Sequence, residues 1–218
     1  MVSKSILTNE QEQFLDILSN IGCMSETQAR HILRCYMGLR GNTVGSVLTS
    51  LSLRHLINKS LDGNFITPGG FAINEVVSRN MIECVAVMNS VYDQYIEEHD
   101  NDATDVRDNI SFVFRPHSEF ELSFISGGES YQLIHIPSNQ LFRMTVVEKK
   151  MNDQKLALKQ TASQMSVIPF TVFIFSAGVN EEAILSKIED MGICIPHKLV
   201  FMKGRELESN ISFNVYGE

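Results

Sequence analysis

The chain is poor in cysteine: four in 218 residues, at positions 23, 35, 84 and 194, with no Cys-x-x-Cys pair among them. That scarcity and spacing argue against a disulfide framework or a zinc knuckle and leave reduced thiols. Long hydrophobic runs are missing too. The longest, VIPFTVFIF at 167–175, is less than half of the roughly 20 residues that a membrane-spanning helix needs. The N-terminal MVSKSILTNEQEQF carries no apolar segment of the secretory kind. These absences predict a cytoplasmic protein with no membrane partner. The common catalytic and cofactor signatures are also absent: no G-x-S-x-G, no G-x-x-x-x-G-K-[ST], no H-E-x-x-H and no G-x-G-x-x-G. No cofactor is predicted.

Cations are in deficit, 18 Lys and Arg against 26 Asp and Glu, for a net charge of −8. A protein that coats nucleic acid indiscriminately is excluded by that balance, but a small DNA-reading module is not. The imbalance is local. Positions 1–75 hold six cations and six acids, 76–110 hold two and eight, and the remainder ten and twelve. Most of the acidity therefore lies around EEHDNDATDVRD, which reads as a solvated loop and a domain boundary.

What is present begins with helical rhythm. Phe14, Leu15, Ile17, Leu18 and Ile21 make one apolar face after a start signal at Thr8 or Asn9. The SETQ at 25–28 has the form of a capping box and leads into Ala29, Ile32, Leu33 and Tyr36. Val44, Val47, Leu48 and Leu51 repeat at i, i+3, i+4, i+7, giving a third helix. HLINKSLDGNFITPGG then reads as two short strands around Asp62-Gly63. Three helices and a hairpin in this order predict a winged helix-turn-helix at 1–70. A helix over 71–96 and the acidic loop to 108 would link it to a second domain at 109–218.

In a winged helix the third helix enters the major groove and the hairpin touches backbone phosphates. The exposed side of 43–55 offers Thr43, Ser46, Thr49, Ser50, Ser52 and Arg54, with Arg40 just before the helix and Lys59 in the wing. Hydroxyls bond phosphates and base edges, and Arg54 could pair with a guanine edge. Double-stranded DNA is the predicted partner, and a homodimer is compatible with the chain. The bland alternative is that this module binds protein. His31 and Cys35 sit at i, i+4 and could form half of a metal site. No second pair has ligand spacing, so they read as a packed histidine and a buried thiol. His55, at the helix end, reads as a favourable charge near the C-terminal dipole.

The second half changes period. Segments 110–114, 120–125, 131–136, 168–175, 198–202 and 211–216 read as strands, and 151–165 and 181–191 as helices; 141–147 fits either. SGGES at 126–130 is a hairpin turn rather than a phosphate cradle. Alternating strands and helices predict an α/β sheet, so the whole chain is expected to be α+β.

The order of a winged helix, a linking helix, RPHSEFELSFI…YQLIHIP, a helix, IPFTVFIFS, a helix and KLVFM resembles the replication-relaxation family of plasmid and mobile-element proteins. The resemblance implies a restriction-endonuclease-like second domain and a role in regulation, replication or mobilisation of a mobile element. In that fold Pro-Asp opens one strand and Glu-x-Asp or Glu-x-Lys lies on the next, because two carboxylates must hold the divalent ion that activates water. Here Pro116 is followed by His117, and the second strand reads Leu133-Ile134-His135-Ile136. No catalytic residue or metal ligand carries over, and a non-enzymatic DNA-binding protein is expected. The competing enzymatic reading takes Glu148-Lys149-Lys150 as Glu-x-Lys and Glu119 or Glu121 as the first carboxylate. Lys149, Lys150, Lys155 and Lys159 form one basic stretch that suits a DNA backbone or a solvated helix face equally.

Overall fold

The computed structural model describes residues 7–60, 65–70, 75–98, 120–160, 169–195, 197–203 and 213–216. The Asp62-Gly63 tip, the acidic stretch from position 99, the strand expected at 110–114, and Pro116, His117 and Glu119 lie outside the described residues. The protein is a mixed α+β chain with two sheets, and it divides into two compact units, Met1–Pro116 and His117–Glu218.

In the first unit, α1 (Asn9–Ile21) opens on a reciprocal cap. The Thr8 hydroxyl accepts the Gln11 N–H at 3.3 Å, and Gln11 Oε1 accepts the Thr8 N–H at 3.2 Å. Strand β1 (Met24–Ser25) leads into α2 (Glu26–His31), where Ser25 and Gln28 form the same box at 3.1 and 3.0 Å. The helix then loosens into a π turn, Ile32–Tyr36, closed by the Met37 N–H on the Ile32 carbonyl at 3.1 Å. Ala29, Ile32, Leu33 and Tyr36 all point inward, as their spacing predicts. Helix α3 (Gly41–Leu53) buries Val44, Val47, Leu48 and Leu51, again as predicted.

A Schellman turn ends α3. Leu56 N–H bonds the Leu51 carbonyl and His55 N–H the Ser52 carbonyl, both at 3.0 Å, with His55 in the left-handed region at φ 57°. The chain turns into β2 (Ile57–Lys59) and returns as β3 (Phe65–Pro68), antiparallel, in a sheet ordered β1-β3-β2. At its base the Gly69 N–H bonds the Leu56 carbonyl at 2.8 Å. A side chain at Gly69 would meet the His55 carbonyl oxygen 2.2 Å away, so only glycine lets the strands close here. Helix α4 (Glu75–Glu98) belongs to this unit. Gln28 Nε2 donates to the Ile82 carbonyl at 2.7 Å, and Tyr36 Oη donates to the Asn89 carbonyl at 3.1 Å, pinning α2 and its π turn to α4.

The second unit is a five-stranded sheet in sequence order: β4 (Leu122–Ser126), β5 (Glu129–His135), β6 (Phe170–Phe175), β7 (His197–Met202) and β8 (Phe213–Tyr216). The outer pairs are antiparallel, and β5, β6 and β7 run parallel. Helices α5 (Phe142–Gln160) and α6 (Glu181–Met191) form the two crossovers. Met144, Val147 and Met151 of α5 join Ile184 and Ile188 of α6 in one core with Ile134, Phe173, Phe175 and Phe201 of the sheet. Val172, Ile174, Leu133 and Val200 on the opposite face are buried as well. Strand β6 is apolar at every position but Thr171 because both of its faces are covered.

Helix α5 joins the helix expected from 151 to the segment that the sequence leaves open between strand and helix. Residues 142–147 belong to it, because a parallel β5–β6 pair demands a crossover connection between the two strands.

Candidate nucleic-acid interface

The inward set on α3 dictates what the helix shows to solvent. Thr43, Ser46 and Thr49 are exposed, and Ser50, Ser52 and Arg54 are half-buried. Asn42, Gly45, Ser46, Thr49, Ser50, Leu53 and Arg54 line an open, shallow depression of about 690 Å³ on this face. Four of the residues read from the sequence as DNA contacts (Ser46, Thr49, Ser50, Arg54) therefore share one surface. Ser46 Oγ donates to the Asn42 carbonyl at 3.1 Å, which leaves its lone pairs outward. Arg54 is the C-cap residue, its N–H on the Ser50 carbonyl at 3.1 Å. Arg40 is the N-cap residue, exposed, with no side-chain cap bond.

Lys59 is engaged differently. It lies in β2, and its Nζ reaches Glu26 Oε2 on α2 at 3.0 Å. Glu26 also takes Arg30 at 2.5 Å. Burial alone would raise the Glu26 carboxyl, but the hydrogen bonds from Arg30 and Lys59 outweigh it and hold the group below 4.5. One acid thus occupies two cations of the module.

Glu26 is also the last acid before a gap. Positions 27–61 contain five Lys or Arg and no Asp or Glu, although an even spread of 26 acids over 218 residues would place about four there. The gap covers most of α2, the π turn, α3 and β2. Sequence reasoning counted charge in wider blocks and missed it; the signal was a run of 35 residues without an acid.

Two carboxylates of the competing metal site each accept a backbone N–H. Glu121, just before β4, accepts the His135 N–H at 3.1 Å, and its own N–H donates to the Leu133 carbonyl at 3.0 Å. Burial pushes its carboxyl up, against the opposing pull of those backbone bonds and Arg143. Glu148 lies inside α5 and accepts the Cys194 N–H at 2.5 Å. Glu148 and Lys150 are two apart on a helix, so they do not face one another as a strand would make them do. Among the described residues, no three His, Cys, Asp or Glu side chains are grouped to hold a metal ion.

The chain matches no family model and no curated protein.

His31 and Cys35 depart from expectation. Neither is sealed in the core: His31 and Cys35 are both half-buried, on a surface where α2 meets α4. No helix among the described residues is long and apolar enough to cross a membrane.

Proposed function

We propose that the chain is a non-enzymatic DNA-binding protein whose first unit is a winged helix-turn-helix, with α3 as the reading helix. The observation that carries this reading is the outward face of α3, a stripe of hydroxyls ending in Arg54 inside a stretch without acids. The order α1-β1-α2-α3-β2-β3 and the sheet order β1-β3-β2 support it, since a winged helix has three helices followed by a hairpin that pairs with the short strand after its first helix. Hydroxyls at 43, 46, 49 and 50 serve phosphates and base edges alike, and Arg40 and Arg54 supply charge at the two ends of the helix. The second unit, on this reading, is a nuclease-like scaffold in a protein of regulation or replication, its carboxylates spent on backbone N–H groups.

A second reading has one specific observation in its favour. Leu53 is 76% exposed beside Arg54, and a large apolar side chain in that position suits a protein partner. The deciding experiment is a duplex-shift titration from about 50 to 200 mM salt, with wild type, Arg40→Ala/Arg54→Ala and Leu53→Ser. DNA reading requires binding that weakens with salt, and a log–log slope that falls by about two in the double arginine variant. Absence of duplex binding at the lowest salt would transfer α3 to the protein-partner reading.

A further inference from the structure

The surface between α2 and α4 holds a nucleophile, a base and a positioning group in line. Cys35 Sγ lies 3.6 Å from His31 Nδ1. The other ring nitrogen, Nε2, lies 2.9 Å from Asp93 Oδ1 on α4. A carboxylate accepts from Nε2–H, which leaves the Nδ1 lone pair facing the thiol. Tyr36 Oη closes the arrangement, 3.2 Å from Nε2 and 3.1 Å from Asp93 Oδ1. The π turn makes it possible, because it brings residues i and i+5, His31 and Tyr36, to one side while His31 and Cys35 stay adjacent. Burial, then the charge of Asp93, pushes the Tyr36 phenol up, so it remains a neutral donor.

We propose that Cys35 is a modification site, a thiol activated by His31 and positioned through Asp93, that exchanges with low-molecular-weight disulfides. The Sγ proton passes to His31 Nδ1. The thiolate electron pair forms a new S–S bond to one sulfur of the reagent as the reagent's own S–S bond breaks. The departing thiolate recovers the proton from Nδ1. One thiol and one disulfide enter, and one mixed disulfide on Cys35 and one small thiol leave. Asp93 of α4 and Tyr36 of the turn are among the groups facing the thiol–imidazole pair; Arg34, next in the chain, is exposed.

The other thiols serve as internal controls. Cys23 and Cys84 are buried, whereas Cys194 is exposed, its Sγ donating to the Gly192 carbonyl at 3.1 Å. Exposure alone makes Cys194 the fastest of the four, and activation makes it Cys35.

The test uses the reduced full chain, with dithiobis-nitrobenzoate as the disulfide and peptide mass mapping to assign each thiol. At pH 7 Cys35 is expected to react about tenfold faster than Cys194. Its rate levels off by about pH 7, instead of climbing through the ordinary thiol value near 8.5. His31→Gln brings Cys35 down to or below the Cys194 rate while Cys194 is unchanged. Asp93→Asn restores a rate that climbs with pH. Cys35 reacting no faster than Cys194, or showing an ordinary climb in the wild type, overturns the proposal. The wild-type pH profile decides even if a variant fails to fold.

Discussion

Glu26 is the point at which stability and the proposed DNA contact pull in opposite directions. Glu26→Gln keeps the shape and an acceptor oxygen but removes the charge that holds Arg30 at 2.5 Å and Lys59 at 3.0 Å. All three side chains are partly exposed, so solvent screens the pairs. An i, i+4 pair contributes about 0.3–0.5 kcal/mol and the tie to Lys59 about 0.5 kcal/mol, or about 1 kcal/mol together. With an unfolding entropy of about 2.1 cal/mol/K per residue, that lowers Tm by about 4 °C if the Met1–Pro116 unit melts alone. It lowers Tm by about 2 °C if the whole chain melts together. The sign with pH follows from the depressed carboxyl. The folded chain releases this proton more readily than the unfolded one, so the stabilisation is complete above 4.5 and is lost as pH falls through the folded value. The gap between wild type and variant should therefore be full at pH 7 and should close in acid. Duplex binding should move the other way. Two cations released from one acid can each neutralise a phosphate, steepening the log K against log salt slope by about 0.9 per contact. Calorimetric melts across pH and shift titrations across salt read the two effects. A variant that is less stable yet binds DNA no more strongly would refute a contact between the released cations and the duplex. A Tm gap that persists undiminished in acid would refute the assignment of the stabilisation to the carboxylate.

Gly69→Ala forces a Cβ against the His55 carbonyl oxygen, 2.2 Å away, and the backbone must shift to admit it. A loss of about 1–3 kcal/mol is expected in denaturant unfolding of the first unit, and an unchanged midpoint would show that the hairpin base is loose. Glu121→Gln keeps an acceptor for the His135 N–H while removing a carboxyl whose pKa burial raises. The folded chain holds that proton more tightly than the unfolded one, so ionisation above 4.5 costs stability. The variant should melt higher than wild type at pH 7, the difference vanishing toward pH 4.5; lower stability at pH 7 would mean that the charge itself is needed.

The elements legible in the sequence are those whose causes are local. The Ser25–Gln28 box, the i, i+3, i+4, i+7 set of α3 and the nearly continuous apolar run of β6 each depend on neighbours in the chain, and each lies where those neighbours place it. The start of α5 was not legible. Its first turns expose Phe142 and Val146 while burying Met144 and Val147, so apolar residues lie on opposite sides and neither period stands out. The β-branched Thr145, Val146 and Val147 point toward a strand, and only the crossover between parallel strands decides for helix. The π turn has no sequence signature at all; its stabilising partners Asn89 and Asp93 come from α4, more than fifty positions on.

The same division between local and distant causes runs through the candidate interface. The hydroxyl stripe of α3 could be read directly, because a helix that buries Val44, Val47, Leu48 and Leu51 must turn Ser46 and Thr49 outward. The state of the cations could not. Arg30 and Lys59 look equally available in the sequence, and both are held by Glu26, four residues from one and 33 from the other. The first pairing follows from helical spacing; the second exists only because the fold brings Lys59 of β2 to Glu26 of α2. What a basic residue offers a phosphate thus depends on which acids the fold brings to it. For this module acids must be counted in space as well as in sequence, because Glu26 reaches two cations of a run in which 35 consecutive residues have no acid of their own.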